Sequence, residues 1–262
     1  MAAEVHQFMC LSDNFGVLLH DPETRRTAAI DAPEAAPILA ALADKGWELT
    51  DILVTHHHAD HTQGLAALKQ KFPDVRIVGP AKEAAKIKAA GKIDALDAEL
   101  AEGDKAAMGH LEARVIEVPG HTSGHIAYHF ADEDLLFAGD TLFALGCGRC
   151  FEEKPAVMYH SLLKLAALPG QTQVYCGHEY TQSNARFAVK VDPENDLLRE
   201  RAAEIDRMRE GGVATLPTTI ALEQATNPFL RVDDPGIRKT LGMSDADEVD
   251  VFGELRERKN RG

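Results

Sequence analysis

Four histidines and one aspartate (His56, His57, His58, Asp60 and His61) occupy six consecutive positions behind the apolar run Ile52-Leu53-Val54. Neutral imidazole nitrogen and carboxylate oxygen are the ligands that zinc and its transition-metal neighbours accept. A solvated loop has no need of so many imidazoles around a carboxylate, and an affinity tag would be pure histidine at a terminus. A metal site is the economical reading. On an extended strand exit, His56 and His58 are two apart and face one side, while His57 faces the other. His57 is therefore expected to support or pack rather than to ligate.

Three later segments share the same grammar: a short apolar strand, a glycine, then a potential ligand. Val115 to Gly120 leads into His121, Leu135 to Gly139 into Asp140, and Val174 to Gly177 into His178. Each glycine lets the backbone turn sharply at the strand end. Four strands delivering polar groups from their C-terminal ends are expected to gather them at one sheet edge, where sites form in α/β proteins. The candidate ligands are then His56, His58, Asp60, His61, His121, Asp140 and His178. Four ligands close one tetrahedral zinc site. Seven, with an aspartate able to bridge, predict two divalent metal ions per chain, zinc first, with iron or manganese also compatible. His6, His20, His110, His125, His129 and His160 lack this setting and read as ordinary histidines. Cys147-Gly148-Arg149-Cys150 is a lone C-x-x-C with no second pair, so free thiols are expected.

The elements that position these groups alternate. Strands are expected at Phe15–His20, Thr27–Ile30, Ile52–Thr55, Val75–Val78, Arg114–Val118, Ile126–Phe130, Leu135–Ala138 and Val174–Cys176. Helices are expected from Pro33 to Gly46, Leu65 to Phe72, Ala81 to Ala90 with Gly91 as C-cap, and Pro155 to Leu168. Alternation of this kind predicts an α/β architecture with buried sheets. Beyond Glu179 no convincing strand appears. Helices dominate there, over Thr181–Val191, Glu194–Glu210 and Asp245–Arg261 with Ser244 as N-cap. A domain boundary is placed near Glu179, dividing 1–179 from 180–262.

Composition narrows the class further. The 262 residues are 45% hydrophobic and 27% charged, ordinary for a globular protein. A formal net charge of −14 disfavours nucleic acid, whose binders neutralise phosphates. Four cysteines in this length fit a reduced compartment, and a cytoplasmic protein is expected. Met1 to Cys10 shows no basic region followed by a long apolar one, so no secretory signal is expected. No apolar run approaches the roughly 20 residues that span a bilayer. A monomer is expected.

The motif H-x-H-x-D-H, followed by Pro119-Gly120-His121-Thr122-Ser123-Gly124-His125, Gly139-Asp140-Thr141 and Gly177-His178, resembles the metallo-β-lactamase superfamily. Within it, Thr55–His61, Gly139–Phe143, Gly146–Arg149 and Cys176–Thr181 resemble the glyoxalase II (hydroxyacylglutathione hydrolase) family. Asn227-Pro228-Phe229-Leu230-Arg231 and the Arg256–Lys259 tail extend the likeness over nearly the whole chain. The resemblance implies an αββα metallo-β-lactamase sandwich with a C-terminal helical domain. It implies that His56, His58 and His121 hold one metal, that Asp60, His61 and His178 hold the other, and that Asp140 bridges them. It further implies a glutathione thioester as substrate, held by Arg149, Phe151, Tyr180, Asn184, Arg256 and Lys259. Some members carry an aromatic hydroxyl where this chain has Phe151, so any hydrogen bond from that position is lost here. Arg149 stands where some members have lysine, which keeps the charge.

Metals held in such a pair lower the pKa of a bound water toward about 7 and supply a hydroxide nucleophile. The expected reaction is hydrolysis of the thioester of an S-(2-hydroxyacyl)glutathione, S-D-lactoylglutathione above all, with Asp60 orienting the nucleophile. Such a reaction is the second step of methylglyoxal detoxification. The tail carries a separate hint. Arg256 and Lys259 are three apart on one helical face and suit a carboxylate, whereas Arg258 and Arg261 complement the helix C-terminus. A one-iron persulfide dioxygenase would keep the first metal set only, and an RNA-processing nuclease would need the basic stripe this chain lacks. A structural metal module would close its site with four ligands.

Overall fold

The computed structural model describes residues 2–262. They form two compact units: one comprises the residues up to Glu117 with Gly124–Gly139, the other Val118–Ser123 with Asp140–Gly262.

In the first unit, β1 (Glu4–Cys10), β2 (Asn14–Asp21) and β3 (Arg26–Ile30) form an antiparallel run. Helix α1 (Ala35–Lys45) crosses over to β4 (Asp51–Leu53), which pairs parallel to β3 with Ile30 opposite Leu53. Gly46 ends α1 in the left-handed region, and its N–H bonds back to Ala43. Two short helices follow, α2 (Ala59–Thr62) and α3 (Leu65–Lys71), then β5 (Arg76–Pro80) parallel to β4. A 3₁₀ turn over Ala81–Glu83 enters α4 (Ala84–Gly91), and β6 (Ala98–Leu100) closes the sheet in the order β1-β2-β3-β4-β5-β6. Strand β2 is buried along its whole length, as a strand covered on both faces should be. On one face Leu18, Ala29, Ile52 and Ile77 meet Ile38, Leu42, Leu65, Leu68 and Ile87 from the helices. Ile52, Leu65 and Ile87 are fully buried, so truncating any one of them to alanine costs about 2–5 kcal/mol.

The strands β7 (Lys105–Met108), β8 (Leu111–Glu117), β9 (Ile126–Phe130) and β10 (Leu135–Gly139) make an antiparallel meander, part of a second sheet. Along β8, Leu111, Ala113 and Val115 are buried while Glu112 and Arg114 are exposed, the period-two pattern of a sheet with one face on a core. The Tyr128 hydroxyl on β9 donates to the carbonyl of Val54, just past β4, at 2.8 Å, a polar tie between the two sheets within this unit.

In the second unit, β11 (Leu142–Phe143) and β12 (Gly146–Cys147) form a tight hairpin with Leu145 at φ 57° in its turn. Helix α5 (Pro155–Ala166) starts on a proline whose fixed φ suits a first turn. Then come β13 (Gln173–Cys176), α6 (Thr181–Val191), α7 (Asp196–Glu210), β14 (Thr218–Thr219), α8 (Ile220–Thr226), α9 (Pro235–Leu241) and α10 (Glu248–Arg261). Strand β14 pairs antiparallel with β13, and both belong to the second sheet. Helix α7 is capped by Asn195, whose side chain accepts from Leu198 N–H. Leu145, Ala185, Ala188, Leu198 and Ile205 pack together, and Phe229 meets Phe252 nearly edge-on at 5.7 Å.

Several elements differ from the sequence expectation. Strands β1, β6, β7 and β14 carry too few apolar residues in alternation to announce themselves. Helix α4 ends on Lys92 in the left-handed region rather than being capped by Gly91. Helix α10 starts at Glu248, after Asp247, and not behind Ser244. Among the described residues no helix is long and apolar enough to cross a membrane.

Candidate metal centre

Just past the end of β4, the chain turns at His58 into α2, and this bend aims the cluster. His56 Nε2 lies 3.2 Å from His58 Nδ1, and His61 Nε2 lies 3.8 Å from Asp60 Oδ2. A buried Asn14 side chain holds Asp60, donating to its Oδ2 at 3.2 Å and to its backbone carbonyl at 3.1 Å. Behind these groups sits Asp31, buried at the end of β3. It accepts from Thr55 N–H at 2.7 Å, from the Thr55 hydroxyl at 2.8 Å and from His61 Nδ1 at 2.8 Å. The Thr55 hydroxyl proton is thus committed to Asp31, and its oxygen faces His56 Nδ1 at 3.0 Å as an acceptor. His56 and His61 therefore carry their proton on Nδ1 and present a bare Nε2, the state a metal requires.

The second unit repeats this logic. His121 Nε2 and His178 Nε2 lie 3.4 and 3.2 Å from the same oxygen, Asp140 Oδ2. His121 Nδ1 is 2.9 Å from the Arg149 carbonyl, which can only accept, so its Nε2 is bare as well. Before Asp140, Gly139 has φ +50°, and a Cβ there would sit 2.6 Å from the His125 ring. Only glycine turns the chain at that point.

These separations test whether a metal fits. Ligands bonded at about 2.0–2.1 Å in a tetrahedron stand about 3.3–3.4 Å apart. Three of the four measured pairs fall at 3.2–3.4 Å, and the fourth is slightly longer. Ligand atoms within 4.8 Å of one another form the trios His56–His58–His121 and Asp60–His61–His178. All-imidazole-and-carboxylate trios of this size suit two divalent ions.

Two expectations need correction. The groups do not come from one sheet edge: β4 belongs to the first sheet, while β8, β10 and β13 belong to the second. Apolar periodicity cannot say which sheet a strand joins. Gly120 and Gly139 take positive φ, but Gly177 does not, so its role is not a left-handed turn. His57 lies outside both trios: its Nδ1 meets Glu83 Oε2 at 2.8 Å, and it falls in a separate group with Glu83. All four cysteines are free. Burial first, then the neighbouring Cys147, pushes the Cys150 thiol up to about 12, so it stays protonated at neutral pH.

The residues expected to hold substrate fall in different settings. Tyr180 stacks on His178 with ring centroids 4.7 Å apart, and Phe143 meets Tyr180 edge-on. Phe151 is 62% exposed, its ring 5.2 Å from that of His121. Lys259 Nζ donates to the Ser183 hydroxyl and carbonyl at 2.9 and 3.0 Å. Burial, and then the charges of Arg256, Arg149 and Lys190, bring its ammonium down to about 8. Such a field favours an anion. Asn184 and Arg256 are buried and already employed. Asn184 Nδ2 donates to Ala144 O at 3.0 Å. Arg256 Nη1 donates to Cys147 O at 2.8 Å, and the guanidinium lies over Phe229 at 5.1 Å. They brace the β11–β12 hairpin. Asn227 Nδ2 joins them, donating to Phe143 O and Gly146 O, as does Glu223, which accepts from Leu145 N–H at 2.8 Å.

Sequence reasoning missed Asp31, Asn14, Glu83 and Glu223. Asp31 follows Thr27-Ala28-Ala29-Ile30 and so shares the strand-then-polar grammar of the ligands, which could have found it. Glu83 sits in a charged, helix-like stretch that reads as solvated surface, and Glu223 is a lone charge in the helix-like stretch Ile220–Thr226, where nothing marks it as buried.

Two family models together match residues 17–262. The metallo-beta-lactamase superfamily matches residues 17–178, and the hydroxyacylglutathione hydrolase C-terminus matches residues 179–262. A hydroxyacylglutathione hydrolase of Chelativorans sp. (strain BNC1) is 55% identical over 260 residues, covering 99% of both chains. One of Mesorhizobium japonicum is 56% identical over 260 residues with the same coverage. Among solved structures, ETHE1 from Myxococcus xanthus superposes with a TM-score of 0.68 at 24% identity, over 98% of this chain and 91% of that one. The BLEG-1 B3 metallo-beta-lactamase does so at 0.66 and 20% identity, over 87% and 99%. These structural likenesses speak to the fold, an αβ/β sandwich with a helical C-terminal region.

Proposed function

The chain belongs to the hydroxyacylglutathione hydrolases of the metallo-β-lactamase superfamily, and from that premise we propose that it cleaves S-D-lactoylglutathione to glutathione and D-lactate. It is a metal-dependent thioester hydrolase. The two trios are the observation that carries the proposal. In it, His56, His58 and His121 would hold one zinc and Asp60, His61 and His178 the second, with Asp140 as the seventh ligand. Iron and manganese accept the same donors. When bound, such a pair supplies an activated water near neutral pH and positive charge for a developing oxyanion.

The chain's own residues do the rest. His56, His61 and His121 keep their protons on Nδ1, fixed by Thr55, Asp31 and the Arg149 carbonyl. Asp60, steadied by Asn14, has a side chain 40% exposed, and its carboxylate can accept a hydrogen bond from the attacking water and aim it at the thioester carbonyl. Glutathione leaves as a thiolate and needs little help from an acid. Lys259 and Arg149 attract a glutathione carboxylate, with Tyr180 and Phe151 flanking it, while Asn184 and Arg256 act through the hairpin they brace. In this proposal residues 180–262 form the substrate-binding domain and 1–179 the catalytic one, in a cytoplasmic monomer. The test follows free thiol while purified protein is incubated with S-D-lactoylglutathione and with a glutathione thioester lacking the 2-hydroxyl. Faster release from the first supports the substrate, and equal release removes the 2-hydroxy preference.

A further inference from the structure

A buried carboxylate outside both trios has more to do than fill space. Glu83, at the end of the 3₁₀ turn Ala81–Glu83, is 1% exposed. Its Oε2 accepts from the backbone N–H of His57 at 2.8 Å and from His57 Nδ1 at 2.8 Å. Its Oε1 accepts from the backbone N–H of Gly124 at 2.9 Å. Both oxygens are thus used, and two of the three bonds end on main chain. The approach is close: a Cβ on Gly124 would stand 2.6 Å from Glu83 Cγ and 2.7 Å from Lys82 Cβ. A glycine is required there because the carboxylate and its stem occupy the space a side chain would take.

His57 lies between His56 and His58. Fixing its N–H and its ring fixes the peptide units on either side, and with them the directions in which His56 and His58 leave the chain. We propose that Glu83 is a positioning residue that orders the His56–His58 segment before any metal arrives, an inference that rests on the metal-binding role given to those histidines above. None of the three bonds involves a ligand nitrogen, so the clamp does not depend on metal. The middle ring of the triplet faces away from the trios and adds a third bond to the same carboxylate, while the two main-chain bonds carry the clamp. Groups that orient ligands from outside the coordination sphere typically change metal affinity about 10- to 100-fold when removed.

The substitutions separate backbone from side-chain clamping. Glu83→Gln has a single acceptor oxygen, so its amide NH₂ faces either the two His57 donors or the Gly124 donor, and one side of the clamp is lost. His57→Ala keeps both main-chain bonds and loses only the ring. The experiment measures zinc affinity by competition with a chromophoric chelator for the wild type and both variants. It also records hydrogen exchange of the peptide spanning His56–His61 in metal-free wild type. Expected are at least a tenfold weaker zinc affinity in Glu83→Gln, less than a threefold change in His57→Ala, and marked exchange protection of the metal-free wild-type segment. Unchanged affinity in Glu83→Gln overturns the inference. So does exchange in the metal-free wild type as fast as in a denatured control, a result that stands even if the variant does not fold. Wild type that binds no zinc overturns the metal reading itself; wild type that binds two equivalents beside an unaffected Glu83→Gln overturns only the clamp.

Discussion

Glu223 should be among the costliest side chains to remove from the second unit, although it touches no proposed ligand. It is fully buried and accepts from four donors. These are Arg201 Nη2 at 2.5 Å, the Thr218 hydroxyl at 2.6 Å, Leu145 N–H at 2.8 Å and Asn227 Nδ2 at 2.9 Å. Arg201 is itself only 10% exposed in its side chain. Glu223→Ala leaves a nearly buried guanidinium facing a cavity and strips the turn of the β11–β12 hairpin of its anchor. Breaking a buried pair from one side costs about 3–5 kcal/mol. At about 2–4 °C per kcal/mol for a chain of this size, the melting temperature should fall by roughly 6–20 °C. Thermal unfolding followed by circular dichroism, at one scan rate for all variants, reads the shift. The same variant should raise KM several-fold at unchanged metal content, because Asn184 and Arg256 brace the same hairpin. A drop below about 3 °C would refute the reasoning. The double variant Glu223→Met/Arg201→Met is the internal control. Replacing both partners by apolar groups should recover much of the loss, so the two single effects should not add.

Other consequences follow from the same geometry. Lys259, with its ammonium brought down to about 8, is charged below that pH and neutral above it. KM for the glutathione thioester should therefore rise as pH passes from 7 to 9, and Lys259→Met should flatten that limb in steady-state kinetics; an unaltered profile removes Lys259 from the substrate site. Asp31→Asn should weaken metal binding about 10- to 100-fold, because His61 and Thr55 lose their common acceptor, as metal analysis after dialysis against a weak chelator would show. Asp60→Ala should lower both thioesterase activity and metal content, and retention of both contradicts its assignment. Arg256→Ala should lower the melting temperature as well as raise KM, because it removes a contact with Phe229 and a bond to Cys147 O.

Much of the fold was legible because its central strands are short, apolar and end in distinctive residues. Strands β4, β8, β10 and β13 could each be located by the group that follows it. The edge strands were not legible: β1 is half exposed and reads EVHQFMC, and β7 reads KAAM, so neither shows a clear apolar face. The seven proposed ligands were visible because metal chemistry demands particular residue types at strand ends. What stayed hidden is the support around them. A carboxylate that will be buried, such as Glu83 or Glu223, is spelled in the sequence like one that will be solvated, and only the donors converging on it tell them apart. The same holds for Asn184 and Arg256, whose residue types suit a substrate contact but whose side chains are turned to the hairpin carbonyls.

The central claim is that two metal ions held by these seven residues make the chain a glutathione thioesterase. It is tested most directly by titrating metal-free protein with zinc while following thiol release from S-D-lactoylglutathione. The account predicts no release before metal is added, recovery that continues to two equivalents per chain, and loss again on excess chelator. Full activity in rigorously metal-free protein, or recovery complete at one equivalent, would contradict it.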